Sequence, residues 1–203
     1  MDLPIFELEI DENLDTNSGV FAVSIVKNPA IEEKALFFSE DGVDQKFKME
    51  DEEERIISTP ILVADKKIYR DNDEFGEHYI TFSADTIKKI MQKYFALGMQ
   101  KNTNLDHNPL LALNGVTMFE SFQINRERGI YPPKEFEDLS DGSWYGSLKV
   151  TDSETWEMIK EGEFEGVSVE GSFKYKSRKE EDDTEEELLN DIMDLLNDMK
   201  EKS

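Results

Sequence analysis

The chain contains no cysteine and only two histidines among its 203 residues. The lack of cysteine excludes disulfide bonds, thiolate metal sites and a cysteine nucleophile. No apolar run approaches the roughly 20 residues of a membrane-spanning helix, and the first residues lack the basic and apolar segments of a signal peptide. We therefore expect a protein of the cytoplasm, or of an assembly built there.

Positive charge is also scarce, since 23 Lys and Arg stand against 47 Asp and Glu. The net charge of -24 repels phosphates, which disfavours nucleic acid and anionic membrane surfaces as partners. The sequence has no HxxH, HExxH or DxDxDG spacing and no phosphate-binding loop. We expect no metal and no cofactor, and a basic partner or a crowded assembly suits the charge.

Residues 164–173 combine a glycine-rich turn with a short strand. Alternation places Ser168 and Glu170 on the face opposite Val167 and Val169. The pattern around Ser168 is not the G-x-S-x-G nucleophile elbow, and a serine in a strand is usually structural. Ser168 is a candidate nucleophile only if the fold brings a base beside it.

Alternating or apolar segments predict strands, and two segments have the spacing of amphipathic helices. The expected helices cover residues 84–95, capped by Ser83, and 153–161, capped by Ser153. The expected strands are residues 4–10 at a sheet edge, 20–26, 55–64 with an interruption at Pro60, 78–82, 116–124 and 143–150, with a hairpin over 34–49.

Three parts follow from these patterns. Residues 1–54 form N-terminal strands that belong to the core or pack on it, and residues 55–178 form the core. Residues 179–203 carry 11 acids and three lysines, with a capping box at 184–187. An apolar stripe that includes Leu188, Ile192 and Leu195 predicts an acidic amphipathic helix that docks on the domain or on a partner.

Of the two histidines, His107 is the candidate general base, because it lies in a polar segment between a helix and a strand. His78 lies inside an alternating strand, where packing is the expected role. Asp106, Glu120 and Glu170 are the acids that can orient His107. Glu120 stands out because it interrupts an apolar strand.

The order of these elements resembles the capsid maturation (prohead) proteases of T-even-type and related tailed phages, whose fold is similar to herpesvirus assemblin. The resemblance covers residues 55–175 and depends on the order of the segments rather than on one motif. The matching segments are residues 65–70, the helix 84–95, the histidine loop 104–109, the acid-bearing strand 117–122, the strand 144–150, and the units 156–162 and 166–171.

This resemblance implies an α+β fold with an assemblin-like, mainly antiparallel β-barrel or sheet core and a few surrounding helices. It implies a serine endopeptidase with Ser168 as nucleophile and His107 as base. Assemblin has a second histidine after the serine, but this chain has none after His107. Either a carboxylate replaces that histidine or the site is a Ser–His dyad. Glu120 is the preferred third member, with Asp106 as the alternative.

The resemblance also implies that the protein acts in the host cytoplasm, inside the assembling prohead. Its substrates would be phage scaffold or core proteins, capsid proteins and the protease itself, and a homo-oligomer remains open. Residues 159–162 fit the family's cleavage form, which predicts a cut after Glu161. Two other functions remain open: a non-catalytic capsid or scaffold-binding protein with the same fold, and an acid-pair hydrolase that uses Glu120 and Glu170.

Overall fold

The computed structural model describes residues 3–27, 45–46, 48–164 and 166–177. Within these residues the chain forms strands and two α-helices, α1 (Ala84–Ala96) and α2 (Ser153–Lys160). The strands are β1 (Ile5–Glu9), β2 (Gly19–Val26), β3 (Gln45–Lys46), β4 (Lys48–Asp51), β5 (Ile56–Leu62), β6 (Ile68–Asn72), β7 (Gly76–Thr81), β8 (Thr103–Leu105), β9 (Asn108–Ala112), β10 (Val116–Gln123), β11 (Trp144–Val150), β12 (Gly166–Ser172) and β13 (Lys174–Ser177).

The strands form three sheets. Sheet 1 has the order β13-β1-β7-β6, sheet 2 has the order β10-β11-β5-β4, and sheet 3 has the order β3-β12-β2-β8-β9. Strand pairs are antiparallel except for β1 with β7 and β2 with β8. In sheet 3, β2 therefore lies between the strand of Ser168 and the strand that leads to His107.

One apolar core joins the sheets and helices. The side chains of α1 and α2 pack with the inward faces of β2, β5, β11 and β12. Tyr94 of α1 meets Trp144 of β11 edge to face, with ring centroids 5.3 Å apart. Buried members of this core include Val23, Ile25, Ile57, Ile61, Ile87, Ile90, Tyr94, Trp144, Leu148, Trp156, Ile159, Val167 and Val169. Because Val167 and Val169 face this core, Ser168 and Glu170 face the other side of sheet 3.

The predicted α+β class is confirmed, with mainly antiparallel strands. The sheets are open, and the described part of the chain contains no closed barrel. Neither α1 nor α2, the α-helices of that part, is long and apolar enough to cross a membrane. The acidic helix predicted within 179–203, and most of the hairpin predicted over 34–49, lie outside the described residues.

Three local predictions are wrong in detail. The first strand is not at an edge, because β1 lies between β13 and β7. Pro60 does not interrupt β5, because β4 pairs with β5 only from Ile56 to Ser58, and Ile61, the next residue of β5, has no register partner on β11. A proline is tolerated where a ladder is irregular or unpaired.

The third correction concerns the N-terminus of α2. The side chain of Asp152, rather than that of Ser153, accepts the hydrogen bond from the Thr155 N–H, at 2.7 Å. Ser153 is the first helical residue, and its hydroxyl accepts a hydrogen bond from Arg55. The cap matters because α2 holds Trp156 and Ile159 in the core.

Replacing the cap should destabilise the protein. We expect Asp152→Ala to lower the free energy of unfolding by about 1 kcal/mol, because the Thr155 N–H loses its acceptor. Urea denaturation followed by circular dichroism measures the change. Ser153→Ala is the matched control and loses only an exposed hydrogen bond. A larger loss for Ser153→Ala than for Asp152→Ala would contradict the assignment.

Candidate active site

Three polar residues form a row across sheet 3. Ser168 of β12 lies opposite Ser24 of β2, and Ser24 lies opposite Asn104 of β8. Residues in register on neighbouring strands point to the same face of the sheet. Ser24 is fully buried and Asn104 is 6% exposed, whereas Ser168 is half-buried.

His107 lies above this row, at the tip of a tight hairpin. Strands β8 and β9 are joined by only two residues, Asp106 and His107, since Leu105 pairs with Asn108. Both turn residues have positive φ, 47° and 55°. A two-residue hairpin of the type I′ class requires positive φ at both positions, and Asp and His enter this region more readily than most residues. The turn therefore explains the position of His107, in a segment that the sequence predicted only as a polar loop.

The turn is tied to the end of β2. The N–H of Asp106 donates to the carbonyl of Ile25, at 3.0 Å, and the Asp106 carboxylate accepts a hydrogen bond from the N–H of Lys27, at 3.0 Å. Asp106 thus anchors the hairpin with its main chain and its side chain. These two bonds fix the height of the imidazole above β2.

The carboxylate beside His107 belongs to Glu170. Its Oε1 atom accepts hydrogen bonds from the Ser24 hydroxyl and from Nδ2 of Asn104, both at 2.6 Å. The same oxygen lies 3.4 Å from Nδ1 of His107, and Nδ1 lies 3.2 Å from Oγ of Ser24. The side chains of His107 and Glu170 are 16% and 20% exposed. Three neighbours therefore converge on one carboxylate oxygen that is largely shielded from water.

The surroundings shift both pKa values downwards. Burial lowers the pKa of His107 below its ordinary 6.5, and the negative charges of Glu170 and Asp106 oppose this only in part. Burial alone would raise the pKa of Glu170, but hydrogen bonds from Ser24 and Asn104, together with the nearby His107, outweigh it and lower that pKa. Near neutral pH the pair is therefore a neutral imidazole beside a carboxylate anion.

The neighbours of His107 also indicate its tautomer. An ionised carboxylate only accepts hydrogen bonds, so the nitrogen that faces Glu170, Nδ1, carries the proton in the neutral ring. Nε2 is then the nitrogen that can accept a proton. This is the tautomer that a serine hydrolase needs, with the acid on one ring nitrogen and the nucleophile on the other.

The other predicted residues have different neighbours. Oε2 of Glu120 accepts a hydrogen bond from the Ser147 hydroxyl, at 2.7 Å, within sheet 2. The acid that the structure brings to His107 is thus Glu170 rather than Glu120. His78 is fully buried, and its ring packs against Phe6 and Phe75, with centroids 5.4 Å and 5.6 Å away.

Two residues of the site were missed in the sequence. Ser24 interrupts the apolar segment of β2, and that interruption is a signal that could have identified it. Asn104 gave no signal of its own, because a polar residue in a polar segment is ordinary. Only the pairing of β2 with β8 and β12 shows that both residues lie beside Glu170.

Comparison with known proteins gave one family. A family model described as "Putative phage serine protease XkdF" matches residues 43–177, about two thirds of the chain. Searches of curated proteins and of solved structures found no match. The matched segment contains His107, Ser168 and Glu170 but not Ser24. Because the family model matches more than half of the chain, the chain belongs to this family of phage serine proteases.

Proposed function

We propose that the protein is a serine endopeptidase in which Ser168 is the nucleophile, His107 the general base and Glu170 the acid that orients the base. The observation that supports this most directly is the contact of Glu170 with Nδ1 of His107. Glu170 lies two residues after Ser168 on the same face of β12. Ser168 also lies in the family-matched segment and is partly open to solvent.

The mechanism is acyl transfer. Nε2 of His107 takes the hydroxyl proton of Ser168 as Oγ bonds to the carbonyl carbon of the scissile peptide. The peptide C–N bond then breaks, and the leaving amine takes the proton from His107. Water, activated by His107 in the same way, hydrolyses the acyl-enzyme and frees Ser168. The Glu170 anion stabilises the imidazolium that forms in each step.

Ser168 and His107 must come closer together when a substrate binds. The contacts at Nδ1 of His107 go to Ser24 and Glu170, and Ser168 lies one strand beyond Ser24, at a spacing of roughly 5 Å. Proton transfer needs about 3 Å. We propose that substrate binding brings Oγ of Ser168 and Nε2 of His107 to this distance. Catalytic hydrogen bonds are often long in the free enzyme and tighten only in the complex.

The oxyanion donors are assigned to β12, next to a bulge in β2. The register of the two strands shifts between Glu170 and Gly171, because Phe21 of β2 has no register partner on β12. A Cβ atom at Gly171 would lie 2.5 Å from the ring of Phe173 and 2.7 Å from the carbonyl of Gly19, so only glycine fits there. We propose that the N–H groups of Gly171 and Ser172 face the developing oxyanion.

Glu170 takes the role that the sequence suggested for Glu120. Glu120 is bonded to Ser147 in another sheet, and Asp106 is bonded to the backbone of Lys27, although its charge still acts on the pKa of His107. Glu120 and Glu170 lie in different sheets and share no hydrogen-bond partner within the described ranges. This arrangement argues against an acid-pair hydrolase.

For substrates, we propose the scaffold or core proteins and the capsid proteins of the phage, processed inside the assembling prohead in the host cytoplasm. The family and the resemblance to prohead proteases of T-even-type phages, with their assemblin-like fold, support this assignment. The alternative is a non-catalytic capsid or scaffold-binding protein, in which Ser168 does not react.

A fluorophosphonate probe tests the nucleophile directly. An activated serine attacks its phosphorus atom and displaces fluoride, which leaves a stable Ser–O–P bond. We expect wild-type protein to be labelled at Ser168, and Ser168→Ala and His107→Gln to lose at least 100-fold in labelling rate, because nucleophile and base act together. Peptide mapping by mass spectrometry locates the label.

Ser177→Ala is the matched control, because it removes a hydroxyl from an exposed residue of β13, a strand of sheet 1 rather than sheet 3. It should label like wild type. Label on Ser24 instead of Ser168 would make the assignment of the nucleophile wrong. Absence of label, together with intact scaffold and capsid proteins after co-expression, would establish the non-catalytic alternative.

The acid limb of the pH profile tests the base. Only neutral His107 accepts a proton, so the labelling rate should rise with pH through the pKa of His107, below 6.5. Glu170→Gln removes a charge that raises this pKa. We expect the limb to move to lower pH while the maximum rate falls by about 10²-fold or more. A limb that moves upwards, or an unchanged maximum rate, would contradict the role of Glu170.

The predicted cleavage after Glu161 falls at the end of α2. Ile159 is 3% exposed, and Gly162 has a φ of 76° in the turn that follows the helix. Proteases bind extended backbone, so this bond is accessible only after the last turn of α2 unwinds. We expect no new N-terminus at Gly162 while the protein is folded, and mass spectrometry after incubation measures this. Rapid cleavage there under native conditions would contradict this expectation.

A further inference from the structure

A second serine of the site comes from the N-terminal part of the chain. Ser24 lies outside residues 43–177, the segment matched by the family, yet its Oγ is within hydrogen-bond distance of Glu170, Asn104 and His107. We infer that Ser24 is a positioning residue that holds Oε1 of Glu170 against His107. This inference rests on the proposed function of Ser168, His107 and Glu170.

The hydroxyl of Ser24 has one proton to donate, and two oxygens compete for it. Oε1 of Glu170 is at 2.6 Å and Oδ1 of Asn104 is at 2.8 Å. The carboxylate is the nearer acceptor and carries charge, which makes it the stronger one. The lone pairs of Ser24 then face Nδ1–H of His107, at 3.2 Å. Ser24 thus contacts acid and base together.

Burial separates the roles of the two serines. Ser24 is fully buried in the central strand of sheet 3, so a peptide carbonyl cannot reach its oxygen without the strand opening. Ser168, its neighbour in register, is half-buried on the same face. A buried hydroxyl that is already bonded to a carboxylate suits positioning, whereas a partly open one suits attack.

Asn104 is the second hydrogen-bond donor to Oε1 of Glu170. Its Nδ2 donates to Oε1 at 2.6 Å, so Ser24 and Asn104 approach the same oxygen from adjacent strands. A largely buried anion without such donors would be costly. The negative charges of Glu170 and Asp106 raise the pKa of His107, while β2 and β8 place the neutral Ser24 and Asn104 beside Glu170.

Two measurements on the 203-residue chain test this inference. The first is the titration of His107 by ¹H–¹³C NMR, assigned by the signal that His107→Gln removes. The second is the pH profile of fluorophosphonate labelling at Ser168. In Ser24→Ala, Oε1 of Glu170 loses a bond that holds it beside His107, so the carboxylate raises the pKa of His107 less than it does in the wild type. We expect the pKa of His107 and the acid limb to move downwards, in the same direction as in Glu170→Gln but less far, and the labelling rate to fall about 10-fold.

Ser147→Ala is the matched control. Ser147 is also a buried serine that donates to a glutamate on the adjacent strand, Glu120 at 2.7 Å, but in sheet 2. It should leave the titration of His107 and the labelling profile unchanged. Ser24→Thr and Ser24→Val form a second comparison. Threonine and valine side chains have the same shape as each other, but only threonine keeps the hydroxyl. Threonine should restore the wild-type titration and valine should not.

The outcomes distinguish failure of the role of Ser24 from failure of the proposed protease function. If wild-type Ser168 is labelled but Ser24→Ala leaves the pKa of His107 unchanged or raises it, the role of Ser24 is wrong. Equal behaviour of the threonine and valine variants would also overturn it, since a packing role does not depend on the hydroxyl. If Ser168 is not labelled in wild type, the proposed function fails, and the NMR titration still decides whether Ser24 positions the pair.

Discussion

A charged oxygen that is largely shielded from water must be surrounded by donors, and Oε1 of Glu170 sets this requirement for the whole site. Two hydrogen bonds of 2.6 Å, from Ser24 and Asn104, satisfy it, and the imidazole of His107 lies 3.4 Å away. The three neighbours come from different strands or turns. The carboxylate is therefore stable only when β2, β8 and β12 are paired in this register, so the chemistry of the site depends on the integrity of sheet 3.

The central strand of that sheet, β2, has two functions. Its inward face carries Val23 and Ile25 into the core, and its outward face carries Ser24 between Ser168 and Asn104. Its end also binds the hairpin turn through the carbonyl of Ile25 and the N–H of Lys27. The turn holds two residues at positive φ, a conformation with an energetic cost that surrounding bonds must offset. The segment before the family-matched region thus helps to fix the position of the base.

The acidic composition of the chain affects the protonation state of His107. The chain has 47 acidic residues, and many of them near an imidazole would raise its pKa and keep it protonated at neutral pH. Burial of His107 acts in the opposite direction and outweighs the effect of Glu170 and Asp106. The balance leaves a neutral base with one oriented acid. Remote acids on the exposed surface are screened by solvent and salt and have little influence on this balance.

The sequence by itself determined the α+β class, the helix that follows Ser83, and the faces of β12, because these depend on local periodicity and capping. It also singled out His107 and Ser168, since a chain with two histidines offers few bases. Tertiary structure decided which acid lies beside the base, because 47 carboxylates cannot be ranked by local pattern and only strand pairing brings Glu170 to His107. It also revealed Ser24, 83 residues from His107 along the chain, since contacts of such separation depend on register rather than on neighbouring residues.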